Sequence, residues 1–267
     1  MTGPQLAILT PSRTPAYVER LSRALDACRE APEAARVLVN NAGTAEMTGL
    51  GLRYRWAVLE PGRNLSFSDA NNVAAEAAAE AWPSLTHLLL LNDDAIPEPA
   101  FLMRLWQHRA EADVLGGLML EADGVRVNHA GVCVVPSNTR TDHVGRGEPR
   151  DLWERDVVRY FANTTFAAVL VRRQLWEDLD GLDSTLIASH EDVDFCWRAI
   201  EAHATVGVVR SAVAIHAECG TRARGGMADH LNQQTIEARW KAKLPRLLAH
   251  YRQRLARFGL EVEGILE

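Results

Sequence analysis

The chain has 267 residues, which is enough for one large α/β domain with a well-formed core. Hydrophobic residues make up 47% of it and charged residues 24%, as in an ordinary globular protein. The formal net charge of −6 argues against a nucleic-acid-binding protein that depends on a general basic field. Any phosphate chemistry must therefore be local.

Cysteine spacing and the amino-terminal residues give no sign of secretion. Four cysteines are present without a CxxC pair, so neither a zinc site nor a disulfide framework is predicted. The amino terminus has no basic region followed by an apolar run, and no stretch approaches the apolar length of a membrane span. We therefore expect a soluble, cytoplasmic protein that could still touch the inner face of a membrane.

The first third of the chain alternates short apolar runs with helical patterns. Strands are predicted at residues 6–10, 37–39, 54–59 and 88–91, and helices at residues 18–28 and 71–82. Such alternation is typical of βαβ units and a mixed, mostly parallel central sheet flanked by helices. No GxGxxG follows the first strand and no GxxxxGK[ST] occurs, so neither a Rossmann dehydrogenase nor a P-loop enzyme is supported.

The run Leu88–Leu91 lacks the alternation of a half-exposed strand, which indicates a strand buried on both faces. It ends at Asp93 and Asp94, and prolines at 97 and 99 turn the chain away. The two carboxylates are therefore expected at the carboxyl edge of the sheet, where open α/β sheets bind ligands. A solvated turn that caps the next helix is the alternative interpretation.

The remaining pattern is less regular. It predicts a helix at 99–111, strands at 114–120 and 125–135, a loop at 136–149, a core strand at 166–171, helices from 173 and from 190, strands at 205–209 and 213–215, and a basic helix at 237–257. Long loops are often lids or binding loops. The basic helix could rest on anionic lipid or could simply be a solvated helix on the domain surface.

Two sets of polar residues that follow apolar runs are candidates for chemistry. Asp94 and His216 are a plausible ligand pair for Mn²⁺ or Mg²⁺, although His216 taken alone favours a hydrogen-bonded residue at a strand end. Glu191, Asp192 and Asp194 open a helix, where acids are favoured by the helix dipole and can act as caps. One of the three, facing a pocket, could instead accept a proton from an attacking hydroxyl.

Five segments, in this order, resemble family 2 glycosyltransferases of the GT-A fold, especially the rhamnosyltransferase-like branch. Residues 64–72 (NLSFSDANN) resemble NxGFaxaxN, 92–94 (NDD) resemble DxD, 166–172 resemble the short strand before the acceptor site, 181–183 (GLD) resemble GGFDE, and 191–198 (EDVDFCWR) resemble EDxDLxxR. The resemblance covers residues 5–221. It implies a single GT-A domain.

The resemblance implies roles for individual side chains. Asp94 would hold a divalent metal, Mn²⁺ or Mg²⁺, and the diphosphate of a nucleotide sugar, with Asp93 nearby. His216 would join the metal shell. Asp192 would be the catalytic base, and Glu191 its neighbour in acceptor binding.

The nucleoside would lie against a further set of positions, Thr10, Pro11, Ser12, Asn40 and Asn72. Two residues depart from the family pattern at the strand ends: Asn40 stands where Asp is common, and Asn92 occupies the first DxD position. Ser66 also replaces a usual glycine. The departure at Asn40 leaves the identity of the bound nucleobase open. The departure at Asn92 makes Asp94 the main metal ligand of this motif.

The implied reaction moves a sugar, with inversion, from a UDP-, dTDP- or GDP-linked donor to a hydroxyl of a glycan or lipid-linked acceptor. Residues 1–227 would form the transferase domain, with a nucleotide-binding half (1–95) and an acceptor-binding half (96–227), and residues 228–267 a helical extension. The alternative is a catalytically silent sugar-nucleotide or glycan binding protein on the same scaffold. A sugar-1-phosphate nucleotidyltransferase would need a glycine-rich basic loop after the first strand, and residues 10–15 contain no glycine.

Overall fold

The computed structural model describes residues 3–28, 30–187, 189–217 and 227–266. Its strands are β1 (Leu6–Ser12), β2 (Ala34–Asn40), β3 (Ala57–Leu59), β4 (His87–Leu91), β5 (Ala95–Pro97), β6 (Val114–Leu120), β7 (Val127–His129), β8 (Val132–Val135), β9 (Arg140–His143), β10 (Val158–Tyr160), β11 (Ala168–Arg172) and β12 (Val206–His216). Its α-helices are α1 (Pro15–Ala27), α2 (Ala45–Arg53), α3 (Phe67–Ala81), α4 (Phe101–Gln107), α5 (Arg173–Asp178), α6 (Glu191–Glu201), α7 (Met227–Trp240) and α8 (Leu244–Ala256).

One large mixed sheet runs through the molecule in the order β10-β12-β6-β11-β4-β1-β2-β3, with β5 and β7 paired beside it. Six of these eight strands point the same way, and β10 and β11 run against them. Helices pack against the sheet, for example α3 on β1 and β2 and α4 on β12. The α/β class with a mostly parallel central sheet is therefore as the sequence predicted.

The leucine strand β4 lies at the centre of this sheet. It pairs in parallel with β1 and antiparallel with β11, so Leu89 is flanked by Ile8 and Leu170. Its four leucines, residues 88–91, are each no more than 1% exposed. This confirms a strand buried on both faces, since a run without alternation has no polar side to turn toward water.

The chain turns after β4 as the prolines predicted. The short strand β5 forms there and pairs with the last residues of β12, so that Ala95 lies opposite His216. Pro97 is at the end of β5, off the main path of the sheet, where a missing N–H is tolerated.

Helix α2 was not predicted. Its sequence contains Gly49 and Gly51, which disfavour a helix, but Thr44 caps it by accepting a hydrogen bond from the N–H of Met47. A Cβ built on Gly51 would lie 2.5 Å from the side chain of Val58. The glycine is therefore needed for close packing of α2 on β3, and tertiary contact overrides propensity here.

The segment around residues 125–149 also differs from the prediction. The expected strand is divided into β7 and β8 at Gly131, which has φ of 135°, and the expected loop contains β9, which pairs with β8 in a hairpin. A Cβ at Gly131 would lie 2.3 Å from the ring of Phe161. The two strands expected at 205–209 and 213–215 are instead one strand, β12, with an irregularity between Val209 and Val213.

The carboxyl-terminal region is two helices instead of the single one predicted. The break falls between Trp240 and Leu244, with Pro245 in the first turn of α8. The buried residues of both helices belong to the main hydrophobic core: Ile236, Trp240, Leu244, Leu248, Tyr251 and Leu255. Within the described ranges, no helix is both long enough and apolar enough to cross a membrane.

A buried carboxylate joins α6 to α7. Asp194 is 0% exposed and accepts hydrogen bonds from Arg198 Nε at 2.7 Å, Arg239 Nη1 at 2.7 Å and Trp240 Nε1 at 2.9 Å. The second guanidinium nitrogen of Arg239 donates to Asp183 at 2.8 Å. A buried charge is tolerated because it is paired and hydrogen-bonded on both oxygens.

Replacing Asp194 with alanine should therefore lower the free energy of unfolding by about 3 to 5 kcal/mol, because it leaves the buried indole N–H of Trp240 without its acceptor and removes the charge partner that Arg198 and Arg239 share. Urea denaturation at pH 7 measures this. The matched control is Asp178→Ala, an exposed residue that bonds only to Gln174 among described side chains, with an expected change of about 0.5 kcal/mol or less. We call Asp194 and its three hydrogen-bond donors, Arg198, Arg239 and Trp240, the clamp. If the two variants lost equal amounts of unfolding free energy, the clamp would not be stabilising.

Candidate functional site

A row of polar side chains crosses the carboxyl edge of the sheet. Ser12 at the end of β1 is in register with Asn40 at the end of β2. On one side Ser12 Oγ donates to Asp93, beyond the end of β4, and on the other Asn40 bonds to Glu60, beyond the end of β3. We call Asp93, Ser12, Asn40 and Glu60 the polar row. It spans four neighbouring strands and includes the switch point between β1 and β4, where open α/β sheets bind ligands.

Asp93 lies at the switch point. Its Oδ2 is 2.5 Å from Ser12 Oγ, which donates to it. Burial raises the pKa of Asp93 to about 6, the neighbouring charge of Asp94 adds to the rise, and the hydrogen bond from Ser12 opposes it. Near neutral pH a modest change in local charge therefore alters the protonation of this carboxyl group.

Asp94 and His216 face each other because β5 pairs with β12. The imidazole Nε2 lies 3.4 Å from the carboxylate Oδ1, and each side chain is 15% exposed. Adjacent ligands of an octahedral Mg²⁺ at about 2.1 Å lie roughly 3 Å apart, so this pair fits two positions around one hard cation. No group of three or more His, Cys, Asp or Glu suited to a metal occurs among the described residues.

The three acids of α6 have different environments. Asp194 is fully buried in the clamp and Glu191 is 7% exposed, whereas Asp192 is partly exposed. Asp192 Oδ1 accepts the backbone N–H of Val193 at 2.8 Å. The capping interpretation is therefore correct in part, since one oxygen of Asp192 satisfies an N–H of the first helical turn. Of the three, Asp192 has the most accessible carboxylate.

Two residues expected at the nucleoside use their side chains within the fold. Thr10 is buried, and its hydroxyl donates to the carbonyl oxygen of Leu91 at 2.9 Å. Asn72 on α3 donates to the carbonyl of Leu182 and accepts the N–H of the same residue. Gly181 has φ of 65° and its Cβ would lie 2.4 Å from Asn72 Oδ1, which explains the glycine of this turn. Pro11 lies on β1 between Thr10 and Ser12 and is partly exposed.

A cluster of basic side chains adjoins His216. His129 on β7 is fully buried, and burial, together with the charges of His143, His216 and Arg146, holds its pKa well below the ordinary value. The rings of His129 and His143 are 4.9 Å apart, and Arg146 Nη2 lies 2.8 Å from His143 Nδ1. His129 is therefore neutral near pH 7, and the positive charge that this cluster brings near His216 is that of Arg146.

Sequence reasoning missed Glu60 and the basic cluster. Glu60 follows an apolar strand and precedes Pro61 and Gly62, so the rule that singled out Asp93 and Asn40 would also have found it. The basic cluster carries no such signal, because its members lie on β7, at the end of β9 and after β9, and only the fold brings them together beside His216.

Asp93→Asn should stabilise the metal-free protein increasingly as pH rises. A folded-state pKa of about 6 against 3.8 in the unfolded chain favours the protonated form in the folded state, so ionisation costs stability between about pH 4 and pH 7. Asparagine carries no charge, so the stability of Asp93→Asn relative to the wild type should rise by about 2 kcal/mol between pH 4 and pH 8. Urea unfolding in EDTA measures it, with Asp178→Asn as control. A pH-independent difference would contradict the raised pKa of the partly buried Asp93 carboxylate.

No family model matches this sequence, and no curated protein sequence matches it. Solved structures do match over almost the whole chain. The 1–349 fragment of S. aureus TarS has a TM-score of 0.62 and 18% identity, over 95% of this chain and 72% of that one. The same fragment in complex with UDP has a TM-score of 0.62 and 17% identity, over 96% and 72%. GalNAc-T7 with UDP, GalNAc and Mn²⁺ has a TM-score of 0.67 and 12% identity, over 91% and 49%.

At 12 to 18% identity this likeness is one of fold. The matching structures are GT-A glycosyltransferases, and they share with this chain a central mixed sheet flanked by helices. The chain therefore has the GT-A fold.

Proposed function

We propose that the protein is an inverting, metal-dependent glycosyltransferase that uses a nucleotide-diphosphate sugar. The observation that carries this proposal is the meeting of Asp94 and His216 beside the Ser12–Asp93 pair at the switch point of the sheet. These groups suit a hard cation and its diphosphate. We further propose that it belongs to family 2, in the rhamnosyltransferase-like branch, whose motifs its sequence resembles.

Asp94 and His216 would hold the metal, and the basic cluster of His129, His143 and Arg146 would face the diphosphate from the hairpin side. When bound, Mn²⁺ or Mg²⁺ supplies positive charge that stabilises the departing nucleoside diphosphate. Substrate phosphates normally contribute ligands to such a site, beside the two that the described residues offer. A metal that is held mainly by its substrate should bind weakly to the protein alone.

Asp192 is the proposed base. The acceptor hydroxyl oxygen forms a bond to the anomeric carbon as the bond from that carbon to the diphosphate oxygen breaks, and the hydroxyl proton passes to the Asp192 carboxylate. The N–H of Val193 donates to Asp192 Oδ1 and fixes the orientation of this carboxylate at the start of α6. Glu191, beside it, would contact the acceptor.

The bound molecules of similar structures support a nucleotide-sugar donor. S. aureus TarS has been crystallised with UDP and with UDP-GlcNAc, and GalNAc-T7 with UDP, GalNAc and Mn²⁺. In this chain residues 1–95 would form the nucleotide-binding half and residues 96–227 the acceptor-binding half. The described residues of both halves share one sheet and one main core.

A glycan or lipid-linked acceptor fits this class of reaction. The exposed basic residues Arg246 and Arg257 of the α8 region would bring the protein to anionic lipid if the acceptor is membrane-bound. Lys243, by contrast, is already paired with Glu201, as expected of a solvated surface helix.

The first test is a thermal-shift screen of the purified chain with UDP-, dTDP- and GDP-sugars in Mn²⁺. A donor at a hundredfold excess over its Kd stabilises the folded state by about 2.7 kcal/mol, which is readily measured. At least one donor should raise the melting temperature. If none of the three classes does so, the proposed function is wrong.

Asp94→Ala should remove the Mn²⁺ dependence of donor binding, because it deletes the only carboxylate of the proposed metal pair. Calorimetric titration of the donor selected by the screen, with Mn²⁺ and with EDTA, measures this. In the wild type Mn²⁺ should tighten binding, and in Asp94→Ala the two titrations should agree. The control Asp178→Ala should behave as wild type. A retained Mn²⁺ effect in Asp94→Ala would exclude this residue as a ligand.

Asp192→Asn should leave donor binding nearly intact while transfer falls by about a thousandfold, which is within the usual range for loss of a general base. Release of nucleoside diphosphate in the presence of a panel of glycan acceptors measures transfer, and calorimetry measures binding. This test also separates an enzyme from a silent binding protein, since a binding protein would show no acceptor-dependent release in the wild type. Transfer by the variant at the wild-type rate would show that another group is the base.

A further inference from the structure

Glu60 lies at the far end of the polar row from Asp93. Residues Val39 and Leu59 are paired in the β2–β3 ladder, so Asn40 and Glu60, which follow them, are level with each other. Ser12 is in turn paired with Asn40. Side chains that are in register on neighbouring strands project from the same face of a sheet. The row is therefore continuous in space from β4 to β3.

The carboxylate of Glu60 is exposed to solvent but fixed in position. Asn40 Nδ2 lies 3.1 Å from each of its two oxygens, and Thr48 Oγ1 donates to Oε1 at 2.5 Å. These hydrogen bonds, first that of Thr48 and then that of Asn40, hold the pKa of Glu60 below its usual value. A surface glutamate normally moves freely, so this one is preorganised as a hydrogen-bond acceptor.

Asn40 is oriented as rigidly as the carboxylate it holds. Its Oδ1 accepts the N–H of Gly43 at 2.9 Å, and its Nδ2 also lies 3.0 Å from the carbonyl oxygen of Thr44. The amide therefore has its donor side turned toward Glu60. The family that this sequence resembles often has an aspartate at the position of Asn40. Here the Asn40 amide instead holds the Glu60 carboxylate, which follows the neighbouring strand β3.

The spacing of the row suits a nucleoside diphosphate. Three strand spacings of about 4.8 Å separate β4 from β3, so the two ends of the row are roughly 14 Å apart. With the diphosphate at Asp93 and Asp94, a ribose would pass over Ser12 and Asn40, and the base would reach Glu60. The base is the part of such a donor that lies farthest from the phosphates.

We propose that Glu60, held in place by hydrogen bonds from Asn40 and Thr48, recognises the nucleobase of the donor and selects bases with an imino N–H. Uracil, thymine and guanine each carry a ring N–H that can donate to a carboxylate, whereas cytosine and adenine have an unprotonated ring nitrogen at the matching edge. A carboxylate facing that lone pair is repelled and left without a donor, which is how a polar site rejects the wrong ligand. This inference rests on the proposed function, because it needs the diphosphate at the other end of the row.

The test is calorimetric binding of UDP, dTDP, GDP, CDP and ADP in Mn²⁺ to the wild type, to Glu60→Gln and to Glu60→Ala. The best of the three imino nucleotides should bind the wild type at least tenfold more tightly than CDP or ADP. Glu60→Gln should weaken that nucleotide by about tenfold, since a neutral acceptor replaces a charged one, and Glu60→Ala should weaken it further. Comparison of the affinities for UDP, dTDP and GDP identifies which nucleobase the protein prefers.

The controls separate this residue from the rest of the site. Inorganic pyrophosphate with Mn²⁺ should bind all three proteins equally, because it occupies only the Asp93–Asp94 end. Glu80→Gln, an exposed glutamate on α3, should leave every affinity unchanged. If the imino nucleotides bind but both Glu60 variants bind them as the wild type does, or if CDP and ADP bind equally well, the role of Glu60 is wrong and the proposed function stands. If no nucleoside diphosphate binds the wild type, both are wrong.

Discussion

The double pairing of β4 is the constraint on which the rest of the structure depends. One edge of this strand is bonded in parallel to β1 and the other antiparallel to β11. Because both of its edges are paired and both of its faces are covered, its position in the sheet is fixed. The register of the neighbouring strands is then fixed as well. The carboxylates that follow Leu91 therefore lie at the carboxyl edge of the sheet, between the two halves of the molecule.

Pairing at that edge brings distant residues into contact. The β1–β4 and β1–β2 ladders align Asp93, Ser12 and Asn40, and the β5–β12 pairing brings Asp94 to His216. The site is thus built mainly from strand ends, whose geometry is set by backbone hydrogen bonds. Rigid strand ends hold ligand groups more accurately than free loops do.

The proposed base depends on a different support. The segment that leads into α6 is held by side chains of α7: Asn232 donates to the carbonyls of Ile187 and Ser189, and Gln233 bonds to His190. The Asp194 clamp secures the first turn of α6 to the same helix. Helix α7 therefore positions the turn that carries Asp192, although it lies outside the segment that resembles the family motifs.

The sequence by itself determined the α/β class, the buried leucine strand and the strand-end location of Asp93, Asp94 and Asn40, because apolar periodicity and turn residues are local signals. It did not determine helix α2, the β8–β9 hairpin or the break between α7 and α8, where packing overrides local preference. The family resemblance singled out Asp192, but the residue pattern itself could not separate it from Asp194, which shares the same helical turn. Only the tertiary structure decided that one is buried between Arg198 and Arg239 while the other is accessible, since burial depends on partners remote in sequence.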